Sequence, residues 1–390
     1  MKRTLLFHVN SLLTGGIERI LIEILKGIDP QKYRIKLSIA FNMGEKEVLK
    51  DQIPTHVEVH YLLDHPMLVT AHKNKKTGNT NFAEKALSEL FLPTVQKMVK
   101  RRKLNTLLKD VDVVIDFDTT LASMHKLFTH KKSIAYSHFG FDNIWQGRRG
   151  KLNKLAHRLS HYTHIVMLCN EMKEEAARLY PVMAPKLVKI YNAIDVQRIK
   201  DLAKEEVMLT ENFRLDGYFV SAGRIHETQK DFTTLIKAYA AAVHKHGIKE
   251  HLVIVGDGGS REKMETLASD LGIRERVLFT GMQRNPYKWM KDASLFLFSS
   301  KYEGLPTVLI EAHGLKLPII STATPTGVRE LLMNGKAGEL VPIGDIEAMT
   351  QAILKLAKDE NLQREYVRNA QELLPQFEIS YMIPELEKLF

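Results

Sequence analysis

The sequence predicts an α/β fold of two Rossmann-like, doubly wound parallel sheets facing a central cleft. Three observations carry that expectation. The chain has 390 residues, about twice a usual domain. Short apolar runs alternate with amphipathic stretches, the order in which strands and crossover helices build a parallel sheet. The candidate strands are apolar throughout instead of alternating, as strands buried on both faces are.

In the front half, Thr4 to Val9 reads as a strand, Gly15-Gly16 as a turn and Ile17 to Ile28 as a helix. Further strands are expected over Ile35 to Ala40, Val57 to Tyr61, Val111 to Ile115, Ile134 to Tyr136 and Ile165 to Leu168. Between His60 and Lys109 the pattern lapses into what reads as an irregular basic insertion, with Lys73-Asn74-Lys75-Lys76 and Lys100-Arg101-Arg102-Lys103. The back half is more regular. Its strands are expected at Tyr218 to Ser221, Leu252 to Val255, Val277 to Phe279, Leu295 to Phe298, Leu317 to Ile320 and Glu339 to Val341. Each is bounded by Gly, Ser, Asp or Pro, and helical spacing fills the gaps, as in Phe232-Leu235-Ile236-Tyr239. The boundary falls near Asn192-Ala193-Ile194-Asp195. That gives a front domain over 1–194, a back domain over 195–372 and a final helix over 373–390 expected to pack on the front domain.

Composition narrows the function. Hydrophobic residues make up 44%, ordinary for a protein with real cores. A single cysteine, Cys169, excludes an intramolecular disulfide and fits a reducing compartment. His8, Asn10 and Ser11 interrupt the apolar start, and no run approaches the ~20 residues of a membrane span, so a cytoplasmic protein is expected. A net charge of +10 calls for an anionic partner without choosing among phosphorylated substrate, membrane surface and nucleic acid.

The sharpest motif is Glu303-Gly304-Leu305-Pro306-Thr307-Val308-Leu309-Ile310-Glu311, directly after the strand Leu295 to Phe298. The carboxyl ends of strands are where doubly wound sheets bind ligands. Pro306 suits a first helical position. The free N–H groups of the helix start, aided by its dipole, form an anion site flanked by Glu303 and Glu311. The spacing fits equally a helix whose two acids cap or face solvent. Gly223-Arg224 and Lys230, after the first back strand, place two cations where a diphosphate gains charge as a bond breaks, although basic loop residues are often simply solvated. Gly15-Gly16 permits close backbone approach and positive φ, short of a dinucleotide fingerprint; a turn without ligand fits as well. His138 follows a front strand and faces the expected cleft, where it either bonds a sugar hydroxyl or serves the core. Asp116-Phe117-Asp118 spells the Asp-x-Asp of metal-dependent transferases. With a helix end, Arg224 and Lys230 already available, no metal is required, and Asp118 reads as an acceptor-side residue. The histidines show no zinc spacing.

Together these residues resemble the retaining GT-B glycosyltransferases of family 4, the group 1 glycosyltransferases of lipopolysaccharide and capsule type. The likeness spans nearly the whole chain, adding Asn192 to Asp195, Val255-Gly256-Asp257-Gly258, Phe279-Thr280-Gly281 and Leu340 to Asp345. It implies a GT-B fold and a nucleotide-sugar donor, commonly a uridine diphosphate sugar, with no cofactor or metal. Glu303 would contact the donor sugar, Glu311 the ribose, and Arg224 and Lys230 the diphosphate. Gly15, Gly16 and His138 would approach the donor from the front domain. Gly223, Gly256 and Asp257 would border the nucleotide, and Gly304, Leu305, Pro306 and Thr307 would line the donor loop. One departure is visible: Lys316 stands where the family places a helix-ending glycine, at a cost of about 1 kcal/mol if the conformation stays left-handed.

The front domain holds much of the basic surplus. Leu152, Leu155, Leu159 and Tyr162 share one helical face, edged by Arg148, Arg149, Lys151 and Lys154. That face either lies on an anionic membrane or packs in the core. The acceptor is expected to be a lipid-linked or surface-polysaccharide glycan, with Arg148 and Arg149 on its side. Two other readings fit parts of the sequence. A sugar-nucleotide 2-epimerase shares the architecture and needs no acceptor. A nucleic-acid binder is suggested by charge alone, without a recognised module or aromatics between the basic runs.

Overall fold

A computed structural model describes residues 2–13, 15–69, 92–142, 148–207 and 217–390. The chain divides into two compact units. The first comprises residues 1–167, 173–190 and 382–390; the second comprises 168–172 and 191–381.

The first unit is built on seven parallel strands. They are β1 (Arg3–Val9), β2 (Tyr33–Phe41), β3 (Val57–Leu63), β4 (Val113–Asp116), β5 (Lys132–Ser137), β6 (His164–Met167) and β7 (Leu187–Lys189). Their order is β3-β2-β1-β4-β5-β6-β7. Strand β1 lies inside the sheet, pairing Arg3 with Tyr33 on one side and Leu5 with Val113 on the other. Its run Leu5-Leu6-Phe7 is completely buried, as an apolar strand between two helical layers must be. Helices α1 (Gly16–Gly27), α2 (Leu92–Leu107), α3 (Arg149–Leu159) and α4 (Asn170–Leu179) belong to this stretch of chain. At the amino ends of the strands, the Phe390 carbonyl oxygen accepts from Arg3 at 3.2 Å and Lys132 at 2.6 Å, and its ring meets Tyr33 edge-on at 5.3 Å.

The second unit has six parallel strands, β8 (Tyr218–Ala222), β9 (His251–Val255), β10 (Val277–Gly281), β11 (Leu295–Phe298), β12 (Ile319–Thr322) and β13 (Glu339–Val341), in the order β10-β9-β8-β11-β12-β13. Its helices are α5 (Val196–Ala203), α6 (Phe232–His246), α7 (Arg261–Asp270), α8 (Tyr287–Met290), α9 (Thr307–Gly314), α10 (Val328–Leu331), α11 (Ile346–Lys358) and α12 (Glu360–Leu373). Helix α13 (Ile379–Glu387) closes the chain. In both sheets the order reverses beside the first strand, so right-handed crossovers place helices on opposite faces and open a crevice at the reversal. The core of the second unit joins Phe219, Leu252 and Ile254 to Leu235, Tyr239 and Ile353 from the covering helices.

Several expectations need correcting. The stretch between His60 and Lys109 is not irregular throughout, because residues 92–107 form helix α2. Lys73 to Lys76 lie outside the described residues. Strand β12 sits two residues later than Leu317 to Ile320, since Leu317 and Pro318 belong to the connection from α9. Strand β7 was not expected.

Candidate active site

The crevice of the second unit is framed by the loops after β8 and β11, adjacent strands at the reversal. The two loops are laced together before any side chain is considered. The Asp231 N–H donates to the Ser299 carbonyl at 3.0 Å, and the Lys301 N–H to the Gln229 carbonyl at 2.8 Å. Asp231 also caps α6, its carboxylate accepting from the Thr234 hydroxyl at 2.7 Å. Lys230 is thereby fixed between a helix cap and a neighbouring loop.

Its ammonium lies 2.6 Å from Glu303 Oε1 and 4.2 Å from the centre of the Phe298 ring. The Ser300 hydroxyl donates to the same carboxylate oxygen at 2.6 Å, and Gln229 Nε2 to Oε2 at 3.3 Å. Three donors from two loops therefore fix one buried carboxylate. An ammonium has three N–H bonds, so Lys230 retains donors beyond the one aimed at Glu303. Arg224, earlier in the same loop, is exposed.

Behind this pair, Gly304 and Leu305 are buried and lead into α9. Pro306 occupies the N-cap with ψ of 103°, so Thr307 and not Pro306 is the first helical residue. The proline's extended ψ turns the chain away from the helix one residue later than its ring geometry suggested. The N–H groups of Thr307 and Val308 have no intrahelical acceptor, which leaves a partial positive charge at the helix end. Glu311 lies one turn further in, 8% exposed, and its Oε1 accepts from the Tyr287 hydroxyl at 3.2 Å.

Two glycines here are required by space. A Cβ on Gly256 would stand 2.0 Å from the Gly223 carbonyl oxygen, and Gly256 itself has φ of 144°. The turn after β12 presses as closely: a Cβ on Gly327 would lie 2.2 Å from the Gly304 carbonyl oxygen. In that turn the Thr326 hydroxyl donates to the Glu303 carbonyl at 2.6 Å. Asp257 is turned into its own loop, accepting from the Gly258 N–H at 2.7 Å with Arg261 at 3.4 Å.

The corresponding loops of the first unit hold a different kind of site. His138 is buried, and its Nε2 lies 2.5 Å from the Phe117 carbonyl oxygen, so Nε2 carries the proton and Nδ1 is left an acceptor. Burial lowers its pKa to about 4, against the pull of that carbonyl, and the ring stays neutral at ordinary pH. Asp118, expected on the acceptor side, spends its carboxylate on the Asn10 N–H at 2.7 Å and the Thr120 hydroxyl at 2.5 Å. Asp116 is fully buried and bonded to the Tyr162 hydroxyl at 2.6 Å. Burial, then the neighbouring Asp118, raises its pKa to about 8. Protein donors thus occupy both acids of the Asp-x-Asp pattern. Gly15 is extended with φ of −163°, and Gly16 opens α1 without positive φ, so the pair does not use the conformation glycine alone supplies. Leu152, Leu155, Leu159 and Tyr162 are buried, so α3 spends its apolar face on the core, while Arg148 and Arg149 are exposed at its start.

Within the second unit the structure brings together Lys230, Glu303, Gly304, Leu305, Pro306 and Thr307, backed by Gly223 and Gly256. Sequence reasoning missed Ser300, Gln229, Thr326 and Tyr287. Ser300 and Gln229 sit within three residues of recognised positions and were findable as polar neighbours of the motif. Tyr287 and Thr326 are brought in by the sheet.

Residues 211–373 match the family Glycosyl transferases group 1. The chain is 27% identical over 374 residues to the N-acetylgalactosamine-N,N'-diacetylbacillosaminyl-diphospho-undecaprenol 4-alpha-N-acetylgalactosaminyltransferase of Campylobacter jejuni, covering 93% of this chain and 92% of that one. It is 31% identical over 196 residues to the lipopolysaccharide core biosynthesis glycosyltransferase LpsE of Rhizobium meliloti, covering 46% of this chain and 56% of that one. The crystal structure of Anabaena HepE in complex with UDP-glucose superposes with a TM-score of 0.76 at 17% identity, over 99% of this chain and 98% of that one. That last likeness establishes the GT-B fold. Residues 211–373 thus match the group 1 glycosyltransferases, and with relatives of this kind the chain is a hexosyltransferase.

Proposed function

We propose that the protein transfers a hexose or N-acetylhexosamine from a uridine diphosphate sugar, with retention of anomeric configuration and without a metal, to a lipid-linked or surface-polysaccharide glycan. The observation that carries the reading is the pairing of Lys230 with Glu303 at the reversal of the second sheet, beside the free end of α9. The Lys230 ammonium, Arg224 and the Thr307 and Val308 N–H groups supply positive charge where a diphosphate would leave. Glu303 offers a carboxylate to sugar hydroxyls, and Glu311 one to the ribose. His138 Nδ1 accepts a sugar hydroxyl, Gly15 and Gly16 approach the donor, and Arg148 and Arg149 face the acceptor.

The serine of this crevice, Ser300, is buried and its hydroxyl is engaged by Glu303. The thiol of Cys169 is buried, and burial pushes its pKa up to about 12. Transfer then proceeds by attack of the acceptor oxygen on the anomeric carbon from the face the diphosphate leaves. The carbon–oxygen bond to phosphate breaks, the new glycosidic bond forms, and the departing phosphate takes the acceptor's proton. The protein's part is positioning and charge stabilisation. HepE holds UDP-glucose and the Campylobacter relative is named for a diphospho-undecaprenol acceptor, which supports a uridine nucleotide and a lipid-borne acceptor.

The test is a panel of nucleotide sugars, followed by nucleotide release and binding. One uridine diphosphate sugar should be turned over, with binding lost in Glu311→Ala and Arg224→Ala. Turnover at wild-type rates in both variants would remove the donor assignment.

A further inference from the structure

The two carboxylate oxygens of Glu303 are not used alike. An ionised carboxylate accepts about four hydrogen bonds, two on each oxygen. Oε1 takes two, from the Lys230 ammonium and the Ser300 hydroxyl, both at 2.6 Å. Oε2 takes one, from Gln229 Nε2 at 3.3 Å, which is long for an N–H donor. Oε1 is therefore filled on the side of the ammonium, and Oε2 is the oxygen with capacity for a ligand's hydroxyl.

Gln229 stands at that second oxygen and is firmly held. Its N–H donates to the His226 carbonyl at 3.0 Å, and its carbonyl accepts from the Lys301 N–H at 2.8 Å. The side chain is half-buried, and the groups that Nε2 meets are both acceptors, Glu303 Oε2 and the Tyr302 carbonyl at 3.5 Å. Those neighbours decide the orientation of the amide, since the opposite one would set oxygen against oxygen twice. The amide oxygen, Oε1, is left as an acceptor, and none of the described residues donates to it.

Bonded to the same carbon as Nε2, that oxygen lies beside Glu303 Oε2, and the two make a pair of neighbouring acceptors. A diphosphate brings acceptors of its own and finds no partner there. A hexose brings donors in adjacent pairs, either two hydroxyls or a hydroxyl beside an acetamido N–H. We propose that Gln229 reads the donor sugar, its Oε1 accepting from the hydroxyl or acetamido N–H next to the hydroxyl held by Glu303 Oε2. The proposal rests on the reading that this crevice binds a nucleotide sugar, and it makes Gln229 a determinant of which sugar is accepted.

The test titrates wild type, Gln229→Leu and Gln229→Ala with UDP and with intact donors. The donors are UDP-glucose, UDP-galactose and their N-acetylhexosamine counterparts. To these are added forms of the tightest donor in which one hydroxyl, or the acetamido group, is replaced by hydrogen. Affinity for the complete donor should fall roughly thirtyfold in Gln229→Leu, the effect of leaving one polar group unpaired. For the single deoxy donor that lacks the group Gln229 reads, the same substitution should cost less than about threefold. Affinity for UDP alone should stay at the wild-type value.

A glutamine that only holds Glu303 in place gives a different pattern, in which every donor weakens by the same factor, deoxy forms included. That pattern overturns the proposal, and so does unchanged affinity for every donor. An equal loss of affinity for UDP also overturns it, by placing Gln229 on the diphosphate. Circular dichroism and the urea midpoint establish that a variant is folded, and Gln229→Ala replaces Gln229→Leu in the comparison if the leucine is not tolerated. A wild type that binds none of the donors defeats the nucleotide-sugar reading and this proposal with it, whereas uniform losses on donors that do bind defeat this proposal alone.

Discussion

Lys316 ends helix α9 with φ of 60°, a left-handed conformation in which its Cβ crowds the chain. The conformation is imposed from both sides. The Leu317 N–H bonds back to the Ala312 carbonyl at 3.0 Å and the Lys316 N–H to that of His313 at 3.0 Å, the pattern that closes a helix on a glycine. Lys316→Gly should therefore raise stability by about 0.5–1 kcal/mol, read as a higher urea midpoint, with turnover unchanged. A lower midpoint would mean that the lysine side chain makes a compensating contact. Glu303→Gln keeps the size of the side chain and removes the charge facing Lys230. Turnover should fall roughly a hundredfold while UDP binds as before, since the nucleotide is assigned to other residues; single-turnover rates beside a UDP titration separate the two. The meeting of Lys230 and Glu303 was readable in the sequence because both follow the ends of adjacent strands. Tyr287 and Thr326 were not, because their approach to Glu311 and Glu303 is set by the packing of β10 and β12 against the neighbouring strands.

Elements were readable in proportion to how plainly burial writes itself into spacing. The apolar runs of β8 and β11 are buried along their length and were found in place. Helix α2 was hidden because cations occupy even its inward positions, with Lys100 and Lys103 reaching into the unit beside Leu104. Strand β7 has three residues, too few to show a period. Burial also has a consequence for pH. His8, on the interior strand β1, is completely enclosed with Nδ1 3.1 Å from the Ser38 hydroxyl, and burial, followed by the nearby Lys100 charge, lowers its pKa to about 3. Its folded pKa lies below the unfolded value near 6.5, so the folded state favours the neutral ring. That stability is present above pH 6.5 and is lost as pH falls toward 3. Relative to His8→Gln, the wild type should lose about 2 kcal/mol between pH 7 and pH 5. Urea titrations of both proteins at the two pH values measure the difference, and parallel midpoints would show that the ring protonates in place.

At the scale of the whole molecule the net charge of +10 gains a more specific meaning than general attraction to anions. In the second unit, positive charge meets the crevice through Lys230, Arg224 and the first turn of α9, the charge that the proposed metal-free transfer assigns to the diphosphate. In the first unit, the acids that might have held such an ion are already engaged, Asp116 by Tyr162 and Asp118 by Asn10 and Thr120. Coordinating a metal there would strip hydrogen bonds from two buried carboxylates, at a cost of about 1–3 kcal/mol for each donor left bare. Donor binding should therefore be indifferent to chelator. A uridine diphosphate sugar at a hundred times its Kd should stabilise the protein by about 2.7 kcal/mol, or roughly 5–10 °C for a unit of this size, equally with and without EDTA. Amide protection should rise in the loops after β8 and β11 and in the first turn of α9. Stabilisation that disappears with EDTA and returns with manganese would show that these cations and the helix end do not neutralise the diphosphate, and that the Asp116–Asp118 segment rearranges to hold an ion.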